Sequence, residues 1–145
     1  MKKIVSTMLG ENKRNYHIYT GYYAMEGSYA LRFPELTQVS ISRTIPCWSK
    51  VTHEYPSLMP TWEILNEYKK IGDEKAYIVA YNKEVLSKLN PQKVAEELNN
   101  CVLMCYEGKD KFCHRKVVAD WLNNYFGTCI VKELIIGISR YNSIR

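Results

Sequence analysis

Cys101-Val102-Leu103-Met104-Cys105 is an unbroken run of five apolar residues. Successive side chains on a strand point to opposite faces of a sheet, so a half-exposed strand alternates polar with apolar. A run without alternation needs cover on both faces, the condition of a central strand in a parallel sheet. The rest of the chain must therefore supply layers on either side of it. Amphipathic stretches occur both before and after the run, and helices alternating with buried strands predict an α/β layer fold. The expected architecture is a mostly parallel central sheet flanked by helices. At 145 residues, with no visible linker or repeat, the chain reads as a single α/β domain over 1–145.

The other elements follow from local signals. Residues 3–8 read as a first strand. Residues 10–34 are polar and aromatic, with Tyr16, Tyr19, Tyr22, Tyr23 and Tyr29. They read as a long loop, holding at most a short strand or helix, whose tyrosines pack onto the core. Residues 37–42 alternate polar with apolar and predict a second strand, with Pro46 ending regular pairing. Thr61 is placed to cap a helix, with Glu63 in its first turn and Trp62, Leu65 and Tyr68 at helical spacing up to Gly72. Residues 73–89 give the clearest helix, with Ile78, Tyr81, Val85 and Leu89 as its inward stripe and Tyr77 beside it. Asn90 caps a short helix that opens with Pro91 and turns Val94 and Leu98 inward. A helix over 113–126 is expected to bury Val117, Val118, Trp121, Leu122 and Tyr125, with Gly127 as its C-cap. Residues 128–131 and 134–136 are strand-like.

Charge and cysteine usage narrow the class. The net charge of +5 comes from scattered basic residues, not from a Lys/Arg block. It permits an anionic ligand without demanding nucleic acid. Five cysteines, an odd count, with no leader pattern at the start, read as reduced thiols in a cytoplasmic protein. No apolar run approaches the ~18 residues of a membrane span.

Reactive residue types concentrate after the apolar run. Cys105, Glu107, Cys113, His114 and Arg115 fall on one strand–loop–helix junction, a place where α/β proteins build sites. Cys105 and Glu107 differ by two, so an extended strand end would point both to one face. Cys113 and His114 lie one turn before Val117 and Val118, so both extend the helix's inward stripe. The helix N-terminus favours an anion and stabilises a thiolate.

Four uses compete for this junction. They are an anion site with a nearby carboxylate, a thiolate nucleophile with His114 as base, a metal site from Cys105, Glu107, Cys113 and His114, and a purely structural cluster. Adjacent Cys-His ligands are geometrically awkward and no paired CxxC is present, so no metal is assigned. Nor is a cofactor assigned: the dinucleotide GxGxxG and the Walker A loop are absent. The phosphatase-type thiol loop fails too, because the residue six after Cys105 is Lys111. Cys105 and Cys113 would pair if the loop brought them together.

The segment Leu103-Met104-Cys105-Tyr106-Glu107, followed by Phe112-Cys113-His114-Arg115 and the helix-like Lys116-Val117-Val118-Ala119-Asp120-Trp121-Leu122, resembles the bacterial family called domain of unknown function 488. Its signature is an apolar strand ending Cys-x-Glu, a polar loop, then Cys-His-Arg opening a helix. Ser42-Arg43-Thr44-Ile45-Pro46 resembles the family's segment after an early strand, and the likeness runs over about residues 35–135. It implies a small α/β protein with Cys105, Glu107, Cys113, His114 and Arg115 at a shared site, and carries no established activity.

The combined expectation is an enzyme or enzyme-like domain for a small phosphorylated ligand or nucleic acid. Arg115 and the helix N-terminus would hold the anion, with Arg43 as a second clamp. Glu107 would act as general acid/base and Cys105 or Cys113 as nucleophile or redox thiol. Trp48 or the tyrosines of 16–29 would stack on a base. The alternative is a non-catalytic module whose thiols sense oxidants by joining Cys105 to Cys113. Oligomeric state is not legible.

Overall fold

Five parallel strands form one sheet in the order β3-β2-β4-β1-β5 in a computed structural model that describes residues 15–108 and 111–137. The strands are β1 (Ile18–Tyr22), β2 (Thr37–Ser40), β3 (His53–Glu54), β4 (Cys101–Cys105) and β5 (Val131–Glu133). Five helices join them: α1 (Glu26–Arg32), α2 (Trp62–Ile71), α3 (Glu74–Glu84), α4 (Pro91–Glu97) and α5 (His114–Phe126). This is the expected α/β layer architecture. The strand expected over residues 3–8 lies outside the described residues. Among the described residues, no helix is long and apolar enough to cross a membrane.

β4 is the centre, and its side chains explain why its sequence cannot alternate. Cys101 and Leu103 face the larger core, shared with Ile18, Val39, Tyr81, Val118 and Leu122. Val102 and Met104 face a second core with Tyr23, Tyr29 and Leu134. All five residues of the strand are buried. Continuing that parity, Cys105 points to the larger-core side, where α5 begins.

Several helix boundaries follow the expected chemistry. The Thr61 side chain accepts from Ile64 N at 3.1 Å, and Gly72 ends α2 in the left-handed conformation at φ 71°. Asn90 Oδ1 accepts from Gln92 N at 3.0 Å ahead of Pro91. Gly127 closes α5 at φ 70°.

Four expectations are corrected. Within the expected loop over 10–34, the described residues 15–34 hold both a strand and a helix: β1, which sits inside the sheet between β4 and β5, and α1. The inward positions of β1 include Thr20 and Gly21, which carry no aliphatic signal. A Cβ at Gly21 would lie 2.7 Å from the Tyr29 ring, so the strand's apolar cover is supplied by Tyr29 from α1. The helix expected over 73–89 ends at Glu84 and passes through a 3-10 turn at Leu86–Lys88. Tyr125 is exposed, because α5 turns Val118 and Leu122 to the sheet and leaves residue 125 on the outer face. Of the strand-like tail, only Val131–Glu133 pairs.

Candidate active site

The N-terminus of α5 lies against the C-terminal end of β4, and the backbone changes conformation there. Cys113 is the N-cap residue, extended at φ −157° and ψ 147°, and His114 is the first helical residue. Adjacent side chains normally diverge. Here the switch from extended to helical lets both reach the same point. Cys113 is bonded to Cys105 as a disulfide, with Cα atoms 7.3 Å apart. Both residues and His114 are buried.

His114 is held in one tautomer. Its Nε2 stands 2.8 Å from the Ile41 carbonyl oxygen. A carbonyl only accepts, so Nε2 carries the proton and donates it. Nδ1 then presents its lone pair, 3.9 Å from the Cys113 sulfur. Burial pushes the His114 pKa down to about 4; the Ile41 hydrogen bond acts the other way, and the Arg115 charge adds to the lowering. The ring is neutral near pH 7.

Arg115 lies beneath this centre, fully buried. A guanidinium has five N–H donors, and each has a protein acceptor. Nε donates to Glu133 Oε1 at 3.1 Å, and one terminal nitrogen to Glu133 Oε2 at 3.0 Å and the Gly108 carbonyl at 3.2 Å. The other terminal nitrogen donates to the Glu107 carbonyl at 2.7 Å and to the Cys105 sulfur at 3.1 Å. Glu133 also accepts from Thr20 Oγ1 at 2.5 Å. The Tyr22 ring lies 5.5 Å from the guanidinium carbon. Arg115 thus ties α5 to β1, β4, β5 and the loop after β4. With every donor engaged, it positions the Cys105 end of the strand.

A cavity of about 560 Å³ opens above the sulfurs. Cys105, Cys113 and His114 line its inner end; Ser42, Thr44 and Glu107 add polar groups, and Arg43 and Lys69 supply positive charge. Trp62, Tyr68, Tyr77, Tyr106 and Phe112 give it aromatic walls. The Arg43 guanidinium stacks 5.2 Å from the Trp62 ring centroid, and Thr44 Oγ1 lies 3.0 Å from the Tyr106 hydroxyl. Phe112 packs edge-on against Tyr77 at 5.0 Å, and both rings line the cavity.

Of the residues singled out in the sequence, Cys105, Glu107, Cys113, His114 and Arg43 line this one cavity. Glu107 reaches it from a bend after β4, not from an extended strand end. Arg115 is adjacent but is not part of the lining. Trp48 is exposed and lies outside it, and the described tyrosines of 16–29 belong elsewhere: Tyr16, Tyr23 and Tyr29 are core residues.

Sequence reasoning missed Trp62, Lys69 and Glu133. Trp62 was placed only by its helical spacing; it is half exposed and lines the cavity. The Glu133 pairing with Arg115 spans 18 residues. Its only local trace is an acidic residue within an apolar strand-like stretch.

A family model described as DUF488-N3a, the active DUF488-N3 subclade, matches residues 33–126, more than half of the chain. The chain belongs to the DUF488 family. The match takes in β2 through α5, and with them Arg43, Cys105, Glu107, Cys113, His114 and Arg115. β1 and β5 of this DUF488 chain, which carry Tyr22 and Glu133, lie outside it. No curated protein and no solved structure matches the chain.

Proposed function

We propose that the cavity over Cys105 and Cys113 is the active site of an enzyme-like domain that takes a small phosphate-bearing ligand of the nucleotide class. One observation carries the reading: a single cavity combines two cations, aromatic walls and the paired sulfurs of Cys105 and Cys113. Its volume of about 560 Å³ falls within the roughly 300–1,000 Å³ range of small-ligand sites. Arg43 and Lys69 meet the phosphate. Trp62, Tyr68 or Tyr106 stack on the base, an interaction of about 1–3 kcal/mol per base. Glu107, exposed at the same cavity, moves protons. Once reduced, the Cys105 sulfur, on which the Arg115 N–H bears, is the nucleophile facing the ligand. The description of the matching subclade as active agrees with a chemical role.

Arg115 takes a supporting part in this reading, and the anion contact moves to Arg43 and Lys69. The test is calorimetric titration of the reduced chain with a panel of nucleoside mono- and diphosphates. A member of the panel binds, and Arg43→Ala and Lys69→Ala each weaken it about tenfold, corresponding to ~1.4 kcal/mol. Binding that both variants leave unchanged would refute the anion assignment.

The disulfide favours a second reading, a module whose thiols respond to oxidants. In that case oxidation itself changes the output, and no ligand is turned over. Ligand affinity that is equal in the reduced and oxidised chains would set this reading aside.

A further inference from the structure

We propose that, when reduced, Cys105, Cys113 and His114 hold a divalent ion of the zinc class at the inner end of the cavity. The proposal rests on the cavity being the active site, but not on which ligand fills it. The Cys105 and Cys113 sulfurs and a His114 ring nitrogen lie within 4.8 Å of one another, and all three residues are buried. With bonds of ~2.3 Å to sulfur and ~2.0–2.1 Å to nitrogen, a tetrahedral ion spaces its sulfur and nitrogen ligands about 3.6 Å apart. His114 Nδ1 is 3.9 Å from the Cys113 sulfur, close to that spacing, and reduction of the disulfide frees the two sulfurs to separate to the ~3.8 Å that a tetrahedral ion sets between them.

The surroundings are those of a ligand set. A metal-bound histidine characteristically donates its other ring N–H to a carbonyl or carboxylate, which fixes the ring and leaves the lone pair for the ion. The His114 bond to the Ile41 carbonyl does this. The Arg115 N–H on the Cys105 sulfur offsets thiolate charge. The backbone also allows for an ion. Most disulfides span a Cα separation of roughly 4.4–6.8 Å, against 7.3 Å here. Two metal–sulfur bonds reach further than one sulfur–sulfur bond. The adjacency of Cys113 and His114, awkward for two ligands on one helix, is resolved by the N-cap, where one residue is extended and the next helical.

Two thiolates and an imidazole match the preference of zinc-class ions, and three protein ligands with a fourth position open to a cavity are the pattern of catalytic sites. All three ligands line the cavity, so that position faces its ligand, with Glu107 on the same wall. Formation is balanced. A dithiol reductant supplies two electrons and two protons to break the Cys105–Cys113 bond, becoming a disulfide itself, and the ion then expels the two thiol protons. In the reverse direction a peroxide takes two electrons from the two thiolates and two protons from solvent, is reduced to water or alcohol, and leaves the disulfide with the ion released.

The test is anaerobic titration of the full chain with cobalt(II), after reduction by a non-chelating phosphine. One ion binds per chain, with a near-ultraviolet sulfur-to-cobalt charge-transfer band and visible bands of tetrahedral intensity, and zinc displaces it. Cys105→Ser, Cys113→Ser and His114→Ala each weaken binding by more than the roughly 10–100-fold that loss of an outer-shell partner costs. Cys47→Ser and Cys129→Ser, at exposed cysteines away from the site, leave binding unchanged. A reduced wild-type chain that gives no charge-transfer band overturns the proposal, as does a band that survives in Cys105→Ser and Cys113→Ser. Nucleotide titration of the same metal-free sample separates the two ideas: binding there without cobalt binding leaves the cavity reading standing and removes only the ion.

Discussion

Replacing Glu133 with alanine isolates the network that positions the reactive strand end. In the native chain its carboxylate accepts two N–H bonds from the buried Arg115, at 3.1 and 3.0 Å, and one from Thr20. Truncation leaves a buried guanidinium with two of its donors unpaired and no countercharge. Removing one partner of a buried pair costs about 3–5 kcal/mol. The Glu133 side chain keeps 21% exposure, so water enters from that side and the lower end, about 3 kcal/mol, is expected. At roughly 2–4 °C per kcal/mol for a chain of this size, the midpoint of thermal unfolding falls by about 6–12 °C. Urea unfolding followed by tryptophan fluorescence gives the free energy, with exposed Lys132→Ala as the control, expected within about 0.5 kcal/mol of wild type. Glu133→Gln, which keeps one acceptor oxygen, should fall between the two. A Glu133→Ala loss below about 1 kcal/mol would show that Arg115 is not anchored from β5 and would undo its positioning role.

Three further outcomes follow from the same geometry. Gly21→Ala places a methyl group 2.7 Å from the buried Tyr29 ring; overpacking of about 1–3 kcal/mol should appear in the urea midpoint. Tyr81→Phe removes the hydroxyl that donates to the Leu58 carbonyl at 2.5 Å and leaves a buried acceptor unpaired, for a loss of about 1–3 kcal/mol in the same assay. In the metal-free oxidised chain, His114 has its pKa pushed down to about 4, against ~6.5 when unfolded. Between those values only the unfolded chain takes the proton, so stability is full above about pH 6.5 and declines as the pH falls toward 4. The ceiling is about 3 kcal/mol, and His114→Gln should flatten that part of the pH profile.

What was legible in the sequence depended on whether a signal was local. The run of β4 demanded cover on both faces, and the two cores on either side of it supply that cover. Thr61, Asn90, Gly72 and Gly127 bounded their helices because capping is decided within a few residues. β1 was hidden because Thr20 is buried through a hydrogen bond to Glu133 and Gly21 through the ring of Tyr29. Neither partner is visible from the strand itself. The cluster at the junction was legible as residue types, and four of its five members line one cavity. The fifth, Arg115, could not be assigned from spacing, because the acceptors that engage it come from β5 and from backbone carbonyls of the neighbouring loop.

The central claim, that ligands reach the sulfurs of Cys105 and Cys113 through the cavity, is tested most directly by cysteine footprinting. The chain is reduced, treated briefly with a small alkylating agent with and without the nucleotide that binds it, and mapped by mass spectrometry. Cys105 and Cys113 should be labelled despite their burial and protected by the nucleotide. Exposed Cys47 and Cys129 should label equally in both samples. Equal labelling of Cys105 and Cys113 with the nucleotide bound would place the ligand elsewhere and contradict the account.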